Sequence, residues 1–397
     1  MTVTSSSDVY YDPYDFEIDT DPYPVWERMR AEAPLYYNER HDFYALSRFD
    51  DVEAGLLDWK TFSSAKSDIL EVIKADIDVP RGLILWEDPP RHDIHRGLLS
   101  RVFTPKRMNE LEGKVREFCA RSLDPLVGTG GFDFIRDLGA QMPMRTIGYL
   151  LGIPEEDQEA IRDRLDEGLT LEEGKPASGN LEFNGEMFEQ YIDWRVTHPS
   201  DDLMTQLLNS EFEDESGTRR TLTRDEVLMV VNLIAGAGNE TTTRLIGWTG
   251  KVLAEHPDAR REIAADRTLV VQTIEELLRY EAPSPVQARY VMEDTEHHGR
   301  VVPAGSVMLL LVASANRDPH RFPDADTFDI RRKIVSNLTF GYGIHFCLGA
   351  ALARLEGRVA LDEVLQRFPD WEVDWDNAKQ ARTSTVRGWE ALPVTTG

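Results

Sequence analysis

Cysteine is the first residue type to weigh, because its thiolate is both a nucleophile and a soft metal ligand. The chain holds two, Cys119 and Cys347. Cys347 lies in the run Phe340-Gly341-Tyr342-Gly343-Ile344-His345-Phe346-Cys347-Leu348-Gly349. Glycines on both sides of it suit a tight loop that another group must approach closely. A helix-forming stretch, Ala350–Arg367, follows and is stopped by Phe368-Pro369. That order predicts a cysteine at a helix N-terminus, where the dipole and the free N–H groups favour a thiolate. Buried cysteines without chemistry are common, so the thiol alone leaves that plainer reading open.

Three further groups carry chemistry. Ala237-Gly238-Asn239-Glu240-Thr241 sets an acid beside an alcohol, within residues that weaken a helix. Its plain alternative is a small-residue patch for close helix packing. Glu276 and Arg279, three apart, share a helix face and can pair. Most such pairs are solvated bridges worth about 0–1 kcal/mol. His92 and Arg96, four apart, share a face just after Asp88-Pro89-Pro90-Arg91, and could simply be a solvated basic face.

Taken together and in this order, these segments resemble the cytochromes P450. The ten residues around Cys347 match that family's haem-binding signature at every restricted position. The resemblance implies a Cys347 thiolate as axial ligand to the iron of haem b, where an anionic sulfur favours O–O cleavage. It implies that Glu240 and Thr241 manage the protons of dioxygen activation; many relatives carry Asp at the acid position. It makes Glu276 and Arg279 a buried structural pair completed by Arg332, in Phe328-Asp329-Ile330-Arg331-Arg332. It gives His92, Arg96, Arg289 and His345 to the haem propionates.

By family position, Leu85, Trp86, Leu169, Leu233, Ala237, Val286, Gln287 and Val386 line the substrate pocket, although ordinary core packing explains each about as well. The implied reaction inserts one oxygen atom of O2 into a small lipophilic molecule. Its electrons come from a ferredoxin and its reductase, since no flavin or iron–sulfur module is apparent. Lys106, Arg107, Arg354 and Arg358 flank the expected docking face. One rival is a thiolate-haem peroxygenase or isomerase independent of redox partners; relatives that use peroxide typically lose the acid–alcohol pair. A non-enzymatic helical binding protein is the other.

The elements that must position these residues are mostly helical. Helix-spaced apolar residues recur over 22–33, 50–57, 105–123 and 154–166. Thr223 and Glu226 form a capping-box pattern ahead of an apolar run over 227–253, closed by His256-Pro257. Strand character is confined to 43–46, 289–292 and 307–312, and residues 172–180 and 211–220 read as surface loops. The expectation is a mainly α fold with a small β region. Haem would lie between the long helix and the cysteine loop, in a single domain over 1–397, although 397 residues by themselves suggest two or three domains.

Composition excludes several classes. A net charge of −27 repels nucleic acid and anionic lipid. Two cysteines cannot build a disulfide framework or a Cys-rich metal site. No apolar run approaches the roughly 18 residues of a bilayer span, so no membrane anchor is expected. Residues 1–15 lack the basic and apolar regions of a signal peptide, which makes the cytoplasm the default location.

Overall fold

Four helices position the candidate site: α1 (Arg91–Ser100), α2 (Arg224–Glu255), α3 (Val270–Tyr280) and α4 (Ala350–Arg367). The computed structural model describes residues 9–77, 79–80, 82–167, 171–175, 186–383 and 385–397. The capping box forms as its residue types require. Glu226 N donates to Thr223 Oγ1 at 3.2 Å, and Thr223 N donates to Glu226 Oε2 at 2.8 Å, so two N–H groups left over at the helix start are satisfied together. The 32 residues of α2 span roughly 48 Å at 1.5 Å per residue. His256-Pro257 ends it and begins the next helix.

α2 and α4 pack in the middle of the largest apolar core, with α4 also against α3 and the helix Glu112–Leu123. Gly357 makes the α2–α4 approach possible, because a Cβ there would stand 2.9 Å from Leu245 Cδ2. Among the described residues, no helix is long and apolar enough to cross a membrane.

The β portion is larger than expected but built from short pieces. Strands β1 (Leu35–Asn38), β2 (Phe43–Leu46), β3 (Phe62–Ser63), β4 (Gln287–Val291) and β5 (Val307–Leu310) form one mixed sheet in the order β1-β2-β5-β4-β3. Met308 faces Arg289 across the antiparallel β5–β4 pair. β6 (Lys379–Arg382) and β7 (Arg387–Ala391) form a hairpin near α2. A three-stranded sheet joins Trp371–Val373, Pro393–Thr396 and Gly131–Asp133.

The structure corrects three local expectations. Residues 105–123 form two helices, Pro105–Glu110 and Glu112–Leu123, with Leu111 between them. Residues 211–220 are not a plain loop: Glu211–Glu213 pairs with Arg219–Thr221. The strand expected over 307–312 ends at Leu310, and Val312 opens a short helix. The mainly α fold with small β regions stands.

Candidate active site

The cysteine loop is shaped by its glycines. Gly341 and Gly343 have φ of 70° and 72°, in the left-handed region that side chains with a Cβ rarely enter. Gly341 N donates to Leu338 O (2.8 Å), Phe346 N to Gly343 O (3.1 Å), and Cys347 N to Phe340 O (2.8 Å). A Cβ on Gly343 would lie 3.0 Å from Leu56 O, so the loop is seated against the end of the helix Phe49–Leu57. Cys347 is a free thiol just before α4. Apolar burial pushes this thiol up, while the N–H groups of Gly349 and Ala350 and the charges of Arg96 and Arg354 draw it down. Burial is the larger of these effects.

Beside the loop lies a group of nitrogen donors. The rings of His92 and His345 stand 4.5 Å apart, and the Nε2 of each is buried without a partner. Burial holds His345 down at about 2, with Arg289, His92 and Arg96 adding positive charge around it. Arg96 reaches the loop directly, donating from Nη2 to Phe346 O at 2.6 Å. Arg289, 4% exposed, donates from Nη1 to its neighbour's carbonyl, Ala288 O, at 2.7 Å. One carboxylate touches the group: Asp93 Oδ1 lies 3.1 Å from His92 Nδ1. The structure therefore brings together all four donors expected at the propionates.

Mid-α2 carries the acid and the alcohol. Ala237 is exposed and Thr241 half-buried, although most of the helix is buried. Thr241 Oγ1 donates back to Ala237 O at 2.9 Å. Glu240, 8% exposed, accepts from Arg244 Nη2 at 3.3 Å. Next to this pair is a carboxylate that sequence reading missed. Glu356 of α4 is 1% exposed, receives the Thr242 hydroxyl at 3.4 Å, and has no partner for Oε1. Burial pushes its carboxyl up to about 8, against the smaller pull of the Thr146 and Thr242 hydroxyls. The available signal was a glutamate beside Gly357, inside the apolar run Leu352, Leu355, Val359.

The third set lies on α3. Arg279 donates to Glu276 from Nε (2.7 Å) and Nη2 (2.8 Å), and neither side chain is exposed. Arg332 Nε (3.2 Å) and Asp329 N (3.0 Å) complete Glu276 Oε1. The remaining arginine N–H groups take main-chain carbonyls: Asn316 and Ala325 from Arg279, Pro323, Asp324 and Thr327 from Arg332. The network thus ties residues 316–332 to α3.

The pocket residues divide. Val286, Gln287 and Val386 share a cavity of about 90 Å³ that Trp26, Tyr14 and Leu309 also line. Leu233 and Ala237 lie on α2, outside that lining. Leu85 is exposed, and Trp86 is buried with its indole N–H on Asp68 Oδ1 at 2.7 Å. Leu169 lies outside the described residues. Of the cations expected at a docking face, Arg107 donates to Gln206, Arg358 Nε to Arg354 O, and Arg354 pairs with Glu275 at 2.6 Å while covering the Phe340 ring.

The donor set fits an iron porphyrin. One thiol at a glycine loop would supply a ligand to the iron, and a cluster of cations and orphaned imidazole nitrogens would suit two carboxylate arms. Comparison with known proteins agrees. A family model described as cytochrome P450 matches residues 182–388. Cytochrome P450 123 of Mycobacterium tuberculosis is 37% identical over 405 residues, 99% of either chain. The vitamin D(3) 25-hydroxylase of Pseudonocardia autotrophica is 34% identical over 406 residues, 100% of this chain and 99% of that one. Among solved structures, a mutant of P450 EryK in complex with erythromycin B superposes with a TM-score of 0.87 at 31% identity, covering 96% of this chain and 97% of the other.

Proposed function

The chain belongs to the cytochrome P450 family, and from that premise we propose a haem-thiolate monooxygenase that hydroxylates a small lipophilic substrate with electrons from a ferredoxin and its reductase. The balance is R–H plus O2, two electrons and two protons, giving R–OH and water. The observation that carries the reading is the pairing of a lone thiol at the α4 N-terminus with four donors, three of them histidine or arginine side chains surrounding His345.

Haem b, when bound, supplies the redox and oxygen chemistry. Cys347 would hold its iron through the thiolate, and the loop hydrogen bonds fix where the sulfur stands. His92, Arg96, Arg289 and His345 would hold the propionates; the Nε2 atoms of His92 and His345, buried without a protein partner, give up no hydrogen bond to do so. Glu276, Arg279 and Arg332 hold the segment that leads into the cysteine loop. On the other face, Glu240 carries a proton at its carboxylate and Thr241 passes it at Oγ1, once that hydroxyl leaves the Ala237 carbonyl. Glu356, held neutral by burial, is a second proton store behind Thr242.

The substrate enters beside Val286, Gln287 and Val386. Two relatives whose names state a substrate or ligand, a vitamin D(3) hydroxylase and an erythromycin B complex, suggest a bulky, mostly apolar molecule. At about 90 Å³ the cavity is smaller than the roughly 300–1,000 Å³ of ligand sites, so we infer that its walls move apart to admit such a molecule. The ferredoxin assignment rests on the family rather than on the four cations, since Arg354 is already neutralised by Glu275. We place the protein in the cytoplasm.

The test is a screen of sterols, macrolides and fatty acids, scored by the shift of the ferric Soret band, followed by turnover with NAD(P)H, ferredoxin and reductase. Hydroxylated product from the best binder is expected. Turnover with hydrogen peroxide alone, and none with the redox partners, would favour a peroxygenase instead.

A further inference from the structure

We propose that Arg244 is a positioning residue for the proton-delivering acid, and that it ties the state of Glu240 to the substrate-side hairpin β6–β7. The inference rests on Glu240 being that acid.

Three contacts carry it. Arg244 Nη2 holds Glu240 Oε1 at 3.3 Å, one helical turn away. Its Nη1 donates to Trp389 O on β7 at 2.5 Å. Both side chains are about nine-tenths buried, so water does not compete for either and the ion pair is held in low dielectric. The guanidinium is a planar fork with donors fixed relative to one another. A shift of Trp389 O therefore moves the donor that faces Glu240.

The strand end of this tether is itself fixed. The Trp389 ring packs edge-on against Trp248 of α2 at 5.9 Å. Gly388 lets the strand approach: a Cβ there would lie 2.8 Å from Arg244 Cδ and 3.0 Å from its Cβ. Three residues before Trp389 along the chain is Val386, which lines the same cavity as Val286 and Gln287. The segment 386–389 thus touches the cavity at one end and the acid's counter-ion at the other. A bound ligand that displaces β7 changes the grip on Glu240, so proton supply follows occupancy. A lysine would do this only in part, because its donors sit on one nitrogen rather than on a planar fork with fixed separation.

Two variants separate this role from mere cross-bracing. Arg244→Met removes the guanidinium. Gly388→Ala keeps the charge and pushes the side chain aside. Haem-loaded proteins would be compared with electrons supplied by a ruthenium photosensitiser, so that neither substrate nor redox partner is needed. Oxygen reduced by two electrons and two protons leaves as peroxide; four of each give two waters. We expect the peroxide share to rise roughly threefold or more in Arg244→Met, in line with loss of one positioned proton donor. Gly388→Ala should rise less, and Arg244→Lys should recover part of the loss.

A second reading is independent of turnover. In thermal melts of the loaded proteins, the Arg244→Met and Glu240→Gln losses should not add, since the double variant lacks both partners. Normal haem loading with an unchanged peroxide share in both Arg244→Met and Gly388→Ala would overturn the proposal, while Glu240→Gln still raising peroxide would leave the assignment of the acid intact. An unchanged share in Glu240→Gln itself would overturn both. Additive melting losses would also contradict the pairing.

Discussion

Two buried carboxylates on adjacent helices are treated in opposite ways. Glu276 of α3 accepts four hydrogen bonds, from Arg279 twice, Arg332 and the Asp329 N–H. Glu356 of α4 has a 3.4 Å contact from Thr242 and an oxygen with no partner. Both are essentially removed from solvent. A buried carboxylate serves as a structural part only when its lone pairs are satisfied, and Glu276 meets that condition. Left nearly alone, Glu356 keeps its proton, which is what a group near a proton-consuming reaction can use. Burial alone therefore does not separate structure from chemistry; the count of satisfied lone pairs does.

Breaking the satisfied carboxylate gives the largest expected effect. Arg279→Ala strands Glu276 in the core, at about 3–5 kcal/mol, and should yield protein that does not incorporate haem. Normal haem content in that variant, measured by absorbance per protein, would show the pair to be dispensable.

The unsatisfied one behaves with the opposite sign. Its folded-state value of about 8 stands above the ordinary 4.5. The unfolded chain then loses its proton first, so this group lowers stability progressively as pH rises from about 4.5 to about 8, and no further above. Glu356→Gln keeps the neutral shape and removes that loss, for a gain on the order of 2–4 kcal/mol near pH 8 and none below pH 4.5. Denaturant melts across this range check it; a constant difference at every pH would mean that Glu356 stays charged.

Smaller effects follow at the nitrogen cluster and the cavity. On the proposed haem site, Arg289→Met would remove one charge-assisted bond to a propionate, worth roughly 1.5–3 kcal/mol, so haem transfer to excess apomyoglobin should speed up about tenfold to a hundredfold. Val386→Ala trims the cavity wall at a cost of about 1 kcal/mol, and should shift the ranking of ligands in the Soret screen without changing haem content. An unaltered ranking would place Val386 in the core rather than the pocket.

Much of this was readable where short-range chemistry decides the outcome. Thr223 and Glu226 announce the start of α2, and the glycines around Cys347 announce the loop. The i, i+4 spacing of His92 and Arg96 puts both on one face of α1. What escaped depends on distant partners. Strands of two to four residues, such as Phe62–Ser63, carry too little alternation to be seen. The break at Leu111 has no proline or glycine to mark it. Glu356 reads as one more charge on a helix until α2 is laid across it, and Arg244 reads as solvated until Trp389 arrives from 145 residues away. Of the expected pocket, Val286, Gln287 and Val386 share a cavity while Leu85 is exposed, because loop residues are placed by tertiary packing rather than by local pattern.

The sulfur is the point on which the account turns. Reduced protein exposed to carbon monoxide should show the red-shifted Soret band of a thiolate-ligated haem, and Cys347→Ala, loaded with haem under the same conditions, should lack it. A Cys347→Ala protein that keeps the shifted band, or a fully loaded parent that never develops it, would contradict the assignment.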